Sequence, residues 1–125
     1  MITEDYVSFE VAKLLKEKGF DELCIFKYSS EGVRMKAGVA IDEWQNSELD
    51  DDECSCVSLQ MAMKWLREIY DIFIVIRRGL TGTGWVYSHE IYKDSKCWYA
   101  RYGASYDTYE EAIEAAIKYC LENLI

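Results

Sequence analysis

Three stretches of the chain repeat apolar residues at helical spacing, and each predicts an amphipathic helix. In the first, Ser8 caps, Val11, Leu14 and Leu15 form the apolar stripe with Phe9 at its head, and Glu10, Lys13, Lys16 and Glu17 face water. Gly19 ends it, and Phe20 is placed to fold back on Leu15, the contact that accompanies a glycine C-terminal turn. The second opens at Ser58, with Leu59, Ala62, Met63, Leu66 and Ile69 on the buried side, and Asp71 leads straight into a strand. The third opens at Thr108, where Glu111 completes a capping box, and Ile113, Ala116, Ile117, Cys120, Leu121 and Leu124 carry the buried side.

Alternation and β-rich runs predict strands between the helices. Residues 24–28 and 33–41 flank a turn at Ser29, Ser30, Glu31 and Gly32, and Val33, Met35, Ala37, Val39 and Ile41 alternate as for one buried face. The run 72–76 is apolar on both faces, which predicts a central strand. Residues 85–92 and 97–102 form a second hairpin around Lys93, Asp94, Ser95 and Lys96. The order is αββαβββα. It predicts an α+β fold with an antiparallel sheet of about five strands and the three helices mainly on one face. The helix starts at Ser8, Ser58 and Thr108 recur every 50 residues. Convergent capping or a duplicated αββ unit would each produce that spacing.

At 125 residues, 50% of them apolar and 30% charged, the chain suits one folded domain, residues 1–125, and excludes a disordered or fibrous class. Its apolar runs are far shorter than a membrane helix needs. The start MITED carries acid where an export signal would be basic, and five cysteines are an odd count, so reduced thiols in the cytoplasm are expected. There is no proline.

The net charge of −9 is uneven. Residues 42–63 hold seven acids and no base, and all seven, Asp42, Glu43, Glu48, Asp50, Asp51, Asp52 and Glu53, fall within twelve positions. Such a stretch is expected to be solvated rather than to pack as a core element. It is also the candidate contact surface for a basic partner, since concentrated charge of one sign steers association. It lacks the glycine-centred ligand spacing of a calcium loop.

The remaining chemistry is sparse. His89 is the sole histidine; a nucleophile pair with Cys97, or zinc held by Cys54, Cys56, His89 and Cys97, lacks an orienting residue in the first case and a usual ligand spacing in the second. The run Arg77–Gly84 reads as a loop between strands. Its glycines follow neither a Walker nor a dinucleotide pattern, though Arg77, Arg78, Gly82 and Gly84 are candidates for cupping an anion. Arg77, Arg78, Lys93, Lys96 and Arg101 interleave with Tyr87, Tyr92, Trp98, Tyr99 and Tyr102, a composition that stacks nucleic-acid bases in some folds. The acidic whole argues against nucleic acid, and exposed Tyr and Trp equally suit protein interfaces. No catalytic residue, metal or cofactor is expected.

The stretches MITEDYVSFEVAKLLKEKGF, LQMAMKWLRE and YDTYEEAIEAAIKYCLENLI together resemble a group of short uncharacterised proteins encoded in gut Bacteroidetes genomes and in their phages or other mobile elements. The resemblance covers the three helices, about half of the chain. It implies a bacterial or phage cytoplasm and an accessory role, and carries over no site residue. The leading expectation is a non-catalytic protein-binding protein. An acidic inhibitor or nucleic-acid mimic that occupies a basic groove is one alternative, and a small-molecule or anion binder or enzyme built on 77–84 and His89 is another. Strands 85–92 or 97–102 are candidates for pairing in a homo-oligomer.

Overall fold

The computed structural model describes residues 1–38, 43–94, 96–100 and 106–125, with 97–100 as backbone alone. It is α+β, with three helices and two three-stranded antiparallel sheets among the described residues. The chain divides into two compact units, Met1–Ser58 and Leu59–Ile125.

In the first unit, α1 (Phe9–Glu17) is followed by β1 (Phe26–Tyr28), β2 (Arg34–Lys36) and β3 (Cys54–Ser55). Ser8 accepts the Val11 N–H at the helix start. At the other end Gly19 has φ +96° and the Phe20 N–H donates to Leu15, which buries Phe20 as the sequence predicts. β1 lies between β2 and β3, and Val7, Val11, Ala12, Leu15, Phe20 and Val57 form the core. The turn after β1 falls where predicted, and Gly32 closes it at φ +79°.

In the second unit, α2 (Leu59–Tyr70), β4 (Ile72–Thr81), β5 (Gly84–Lys93), β6 (Lys96–Ala100) and α3 (Tyr109–Asn123) follow in order. One residue, Asp71, separates α2 from β4; it sits at φ +55°, a left-handed conformation that Asp tolerates better than most residues. β5 is central, with β4 and β6 at the edges. Helices α2 and α3 pack on β4 and β5. Ala62, Leu66, Ile72, Ile91, Ile113, Ala116, Ile117 and Leu121 make the core. Thr108 accepts the Glu111 N–H at the start of α3, as the capping pattern predicts.

Several expectations are corrected. The strands form two sheets of three, one in each unit, rather than one of about five, and the sixth strand, β3, is hidden in the acidic stretch and takes the second edge of β1. A two-residue strand flanked by acids carries no periodicity to read. The order is therefore αβββαβββα. The apolar run 72–76 belongs to an edge strand, and only Ile72, Ile74 and Ile76 turn toward the helices while Phe73 and Val75 stay exposed. The alternation from Val33 does not bury a face: β2 is exposed at every position, and Val39 and Ile41 lie outside the described residues. Ile69 is exposed and Trp65 is buried instead, since the helix buries its earlier turns and stops at Tyr70. The two sheets also differ in strand order, β2-β1-β3 against β4-β5-β6, so the recurring helix starts accompany different topologies.

Gly32 is fixed twice over: by its positive φ, and because an added Cβ would lie 2.8 Å from Cδ2 of Phe9. Gly32→Ala is expected to destabilise the protein by about 2 kcal/mol, from left-handed strain plus displacement of the Phe9 ring. A urea unfolding curve measures it.

Candidate functional site

Two surfaces hold the residues singled out by the sequence. The first is the acidic turn. Lys16, on the last turn of α1, donates its ammonium to the carbonyl oxygens of Asp50 and Glu53, both at 2.7 Å. Lys27 on β1 meets the Glu53 carboxylate at 2.8 Å and lies 4.9 Å from the Trp44 ring centroid. Asn46 is buried and bridges the elements, donating to Phe20 O at 2.7 Å and accepting from Ser55 N at 2.8 Å. Asp21 caps the short turn by accepting the Ser47 N–H. The stretch expected to lie outside the core therefore contributes Asn46, Cys54, Ser55 and Cys56 to the interior. Most of its acids face outward, and Lys16 satisfies the inward carbonyls of Asp50 and Glu53.

Glu43, Glu48, Asp50, Asp51 and Asp52 are exposed, Glu53 is half-buried, and Asp42 lies outside the described residues. A cleft of about 370 Å³ opens beside them, lined by Lys13, Lys16, Glu17, Asp51, Asp52, Glu53 and Cys54. Its charges are of both signs. The hydrogen bond from Lys27, then the Asp50 N–H and the Lys16 charge, hold the Glu53 carboxyl below its ordinary value of 4.5. Burial pushes the Cys54 and Cys24 thiols up to about 11 and Cys120 up to about 12. These thiols are protonated at neutral pH and are poor nucleophiles.

The second surface is the β4–β5 hairpin. It pairs without interruption from Ile72↔Lys93 to Thr81↔Gly84, around Gly82 and Thr83. The glycine-rich run is thus the outer half of a two-stranded arm rather than a loop, and residues 77–83 are exposed throughout. Alternation sends Arg77 and Arg78 to opposite faces. Arg77 donates from Nε to Glu90, a carboxylate only 2% exposed that also accepts the Tyr92 hydroxyl. Arg78 stacks 3.9 Å from the Trp85 ring centroid and 5.9 Å from that of Tyr87. The four candidate anion ligands consequently do not converge. Gly82 lies at the tip, about 17 Å along the strand from Arg77.

The register sets Arg78 opposite Tyr87 and Leu80 opposite Trp85 on one face. Leu80 is 69% exposed and Trp85 51%. Sequence reasoning missed Leu80 and Trp85 in this cluster; the signal was the alternation L-x-x-x-x-W across a two-residue turn. It also missed Lys16, Lys27 and Asn46, whose partners lie 9 to 37 residues away and leave no local mark.

His89 is buried on the same face, nearer the helices, with its ring stacked 5.7 Å from Tyr106. The tip at Gly84 lies about 17 Å away along β5, while Arg77 and Arg78 pair with Ser88 and Tyr87 beside His89, so only the inner end of the 77–84 segment is near it. Cys54 and Cys56 belong to the first unit and His89 to the second. The side chains of Cys97, Trp98 and Tyr99, and residues 101 and 102, lie outside the described residues. Among the described residues, no three of His, Cys, Asp and Glu are grouped to hold a metal ion. No helix of the described residues is long and apolar enough to cross a membrane.

Comparison with protein-family models, with curated proteins and with solved structures yields no match.

Two outcomes follow from this geometry. Glu53 has a lowered folded-state value, so its contribution is full above its ordinary value and is lost as pH falls through the folded one. Urea midpoints measured against pH are expected to fall less on acidification in Glu53→Gln than in the native protein. Arg77→Met leaves the buried Glu90 carboxylate without its guanidinium. A fully buried broken pair costs about 3–5 kcal/mol, and the solvent reaching Arg77 reduces this to about 2 kcal/mol. Glu90→Gln, which removes the charge, is expected to cost less in the same denaturation assay.

Proposed function

We propose that the protein is a non-catalytic protein-binding protein whose docking element is the outer half of the β4–β5 arm. The observation that carries this reading is the cluster of Arg78, Leu80, Trp85 and Tyr87 on one face of that arm. Arg, Trp and Tyr are the residue types that dominate interface energetics. Here the Arg78 guanidinium is already stacked, so less side-chain freedom is lost on docking. A cationic, aromatic arm fits a protein surface that pairs an apolar pocket with carboxylates. The resemblance of the helices supports a bacterial or phage setting and an accessory role. The five cysteines support a cytoplasmic one.

A second reading rests on the exposed carboxylates Glu43, Glu48, Asp50, Asp51 and Asp52. The first unit holds fourteen acids and six bases, a charge of −8, and an acidic surface of this kind occupies basic grooves such as those that receive nucleic acid.

Affinity capture from a nuclease-treated bacterial lysate separates the two. The native protein is compared with Trp85→Ala and with a variant in which Asp50, Asp51 and Asp52 become Asn. Loss of the captured protein with Trp85→Ala alone, by about 30-fold in affinity for a central anchor, supports the arm. Loss with the neutralised variant alone, together with steep weakening by salt, supports the acidic reading. A captured set unchanged by both substitutions overturns both.

A further inference from the structure

We infer that the outer edge of β4 pairs antiparallel with β4 of a second copy of this chain, with Ile74 on the two-fold axis. This goes beyond the arm's proposed partner and uses a different part of the strand. β4 is an edge strand of the second unit, ten residues long and paired on one side by β5. An edge of that length presents a row of backbone donors and acceptors to another strand. On its solvent face Phe73 is 47% exposed and Val75 40%.

The occupant follows from the sequence of the edge itself. Asp71-Ile72-Phe73-Ile74-Val75-Ile76-Arg77 is self-complementary about Ile74. Antiparallel pairing there sets Ile72 opposite Ile76, Phe73 opposite Val75, and Asp71 opposite Arg77, each of them twice, as a two-fold interface requires. Aromatic with β-branched and acid with base are favourable cross-strand pairs. Moving the axis to Arg77 would set that arginine opposite itself, whereas the axis at Ile74 sets Asp71 opposite Arg77, so charge favours the Ile74 register over that one. Asp71 is exposed and lies at the start of the strand in its left-handed turn, and the Arg77 side chain keeps 60% of its surface while it pairs with Glu90. The edge is also free of the Lys, Pro and inward charge that protect such strands between residues 72 and 76. Charge repulsion is small locally: the second unit holds eight bases and nine acids, while most of the net charge resides in the first.

The test uses the full chain. Sedimentation velocity across the micromolar range is expected to show a monomer–dimer equilibrium in the native protein. Val75→Lys, at an exposed position, and Asp71→Arg, which sets like charges opposite each other, are each expected to shift it at least tenfold toward monomer with an unchanged circular dichroism spectrum. Register is read separately by introduced thiols. In Ile74→Cys the two symmetry-related positions lie about 4.5–5.5 Å apart between Cα atoms, within disulfide reach. Treatment with a diazene thiol oxidant, which takes up the two protons and two electrons released, is expected to give a linked dimer absent from the treated native protein. Gly79→Cys, where an added Cβ meets no atom within 4 Å, serves as the off-axis control and is expected to give none. A monomer at all concentrations overturns the inference. So does a dimer that survives both Val75→Lys and Asp71→Arg, or one in which the Gly79 position links and the Ile74 position does not.

Discussion

One ammonium group organises the first unit. Lys16 reaches from α1 to two carbonyl oxygens of the acidic turn, and that contact converts a run of carboxylates from a solvated tether into a folded segment. Without a cation at that point, the carbonyls of Asp50 and Glu53 would add their dipoles to a cluster of like charges. With it, the backbone is drawn against the helix and the acids are turned outward. Cys54 and Ser55 then continue into the second edge of β1, and Lys27 and Asn46 complete the fixation from the sheet side. The most acidic part of the molecule is thus held by Lys16, Lys27 and Asn46, with Asp21 capping its short turn.

The second unit obeys a different constraint, the burial of a carboxylate in a sheet. Glu90 lies on the central strand, on the face away from α2 and α3 by alternation, and keeps its charge satisfied through Arg77 and Tyr92. This engages Arg77, which the pleat sets on the face opposite Arg78. The two arginines, adjacent in sequence, therefore serve different ends: one neutralises the sheet, the other stacks on Trp85 and presents its charge to solvent. A glycine-rich sequence following two arginines invites an anion-binding reading, and the strand pleat sends those two side chains to opposite faces of the arm.

What the sequence made legible was local. The caps at Ser8 and Thr108, the glycine stop at Gly19, the turn at Gly32 and the buried stripe of α3 from Ile113 to Leu121 all follow from interactions within a few residues and are found, while Leu124 caps the helix half-buried. What stayed hidden depended on distant partners. β3 has no pattern of its own and exists because β1 has an edge to fill. The run Ile72–Ile76 looked central because both of its faces are apolar, yet nothing in a single strand records which side of the sheet it occupies. Glycine and threonine are turn formers and predict a loop over 77–84, whereas the register that begins at Ile72 carries the pairing outward to Thr81. For the candidate site, the exposed acids were legible from composition. The organising lysines and the Leu80–Trp85 pair were not, since each needed a register or a helix position to come together.

The junction at Asp71 has a mechanical consequence. A single residue in a left-handed turn joins the end of α2 to the start of β4, so the connection holds no slack. The arm is thus tied to the end of α2 through one residue and ten uninterrupted pairs from Ile72 to Thr81, with no intervening loop to decouple a displacement of the tip from the helix.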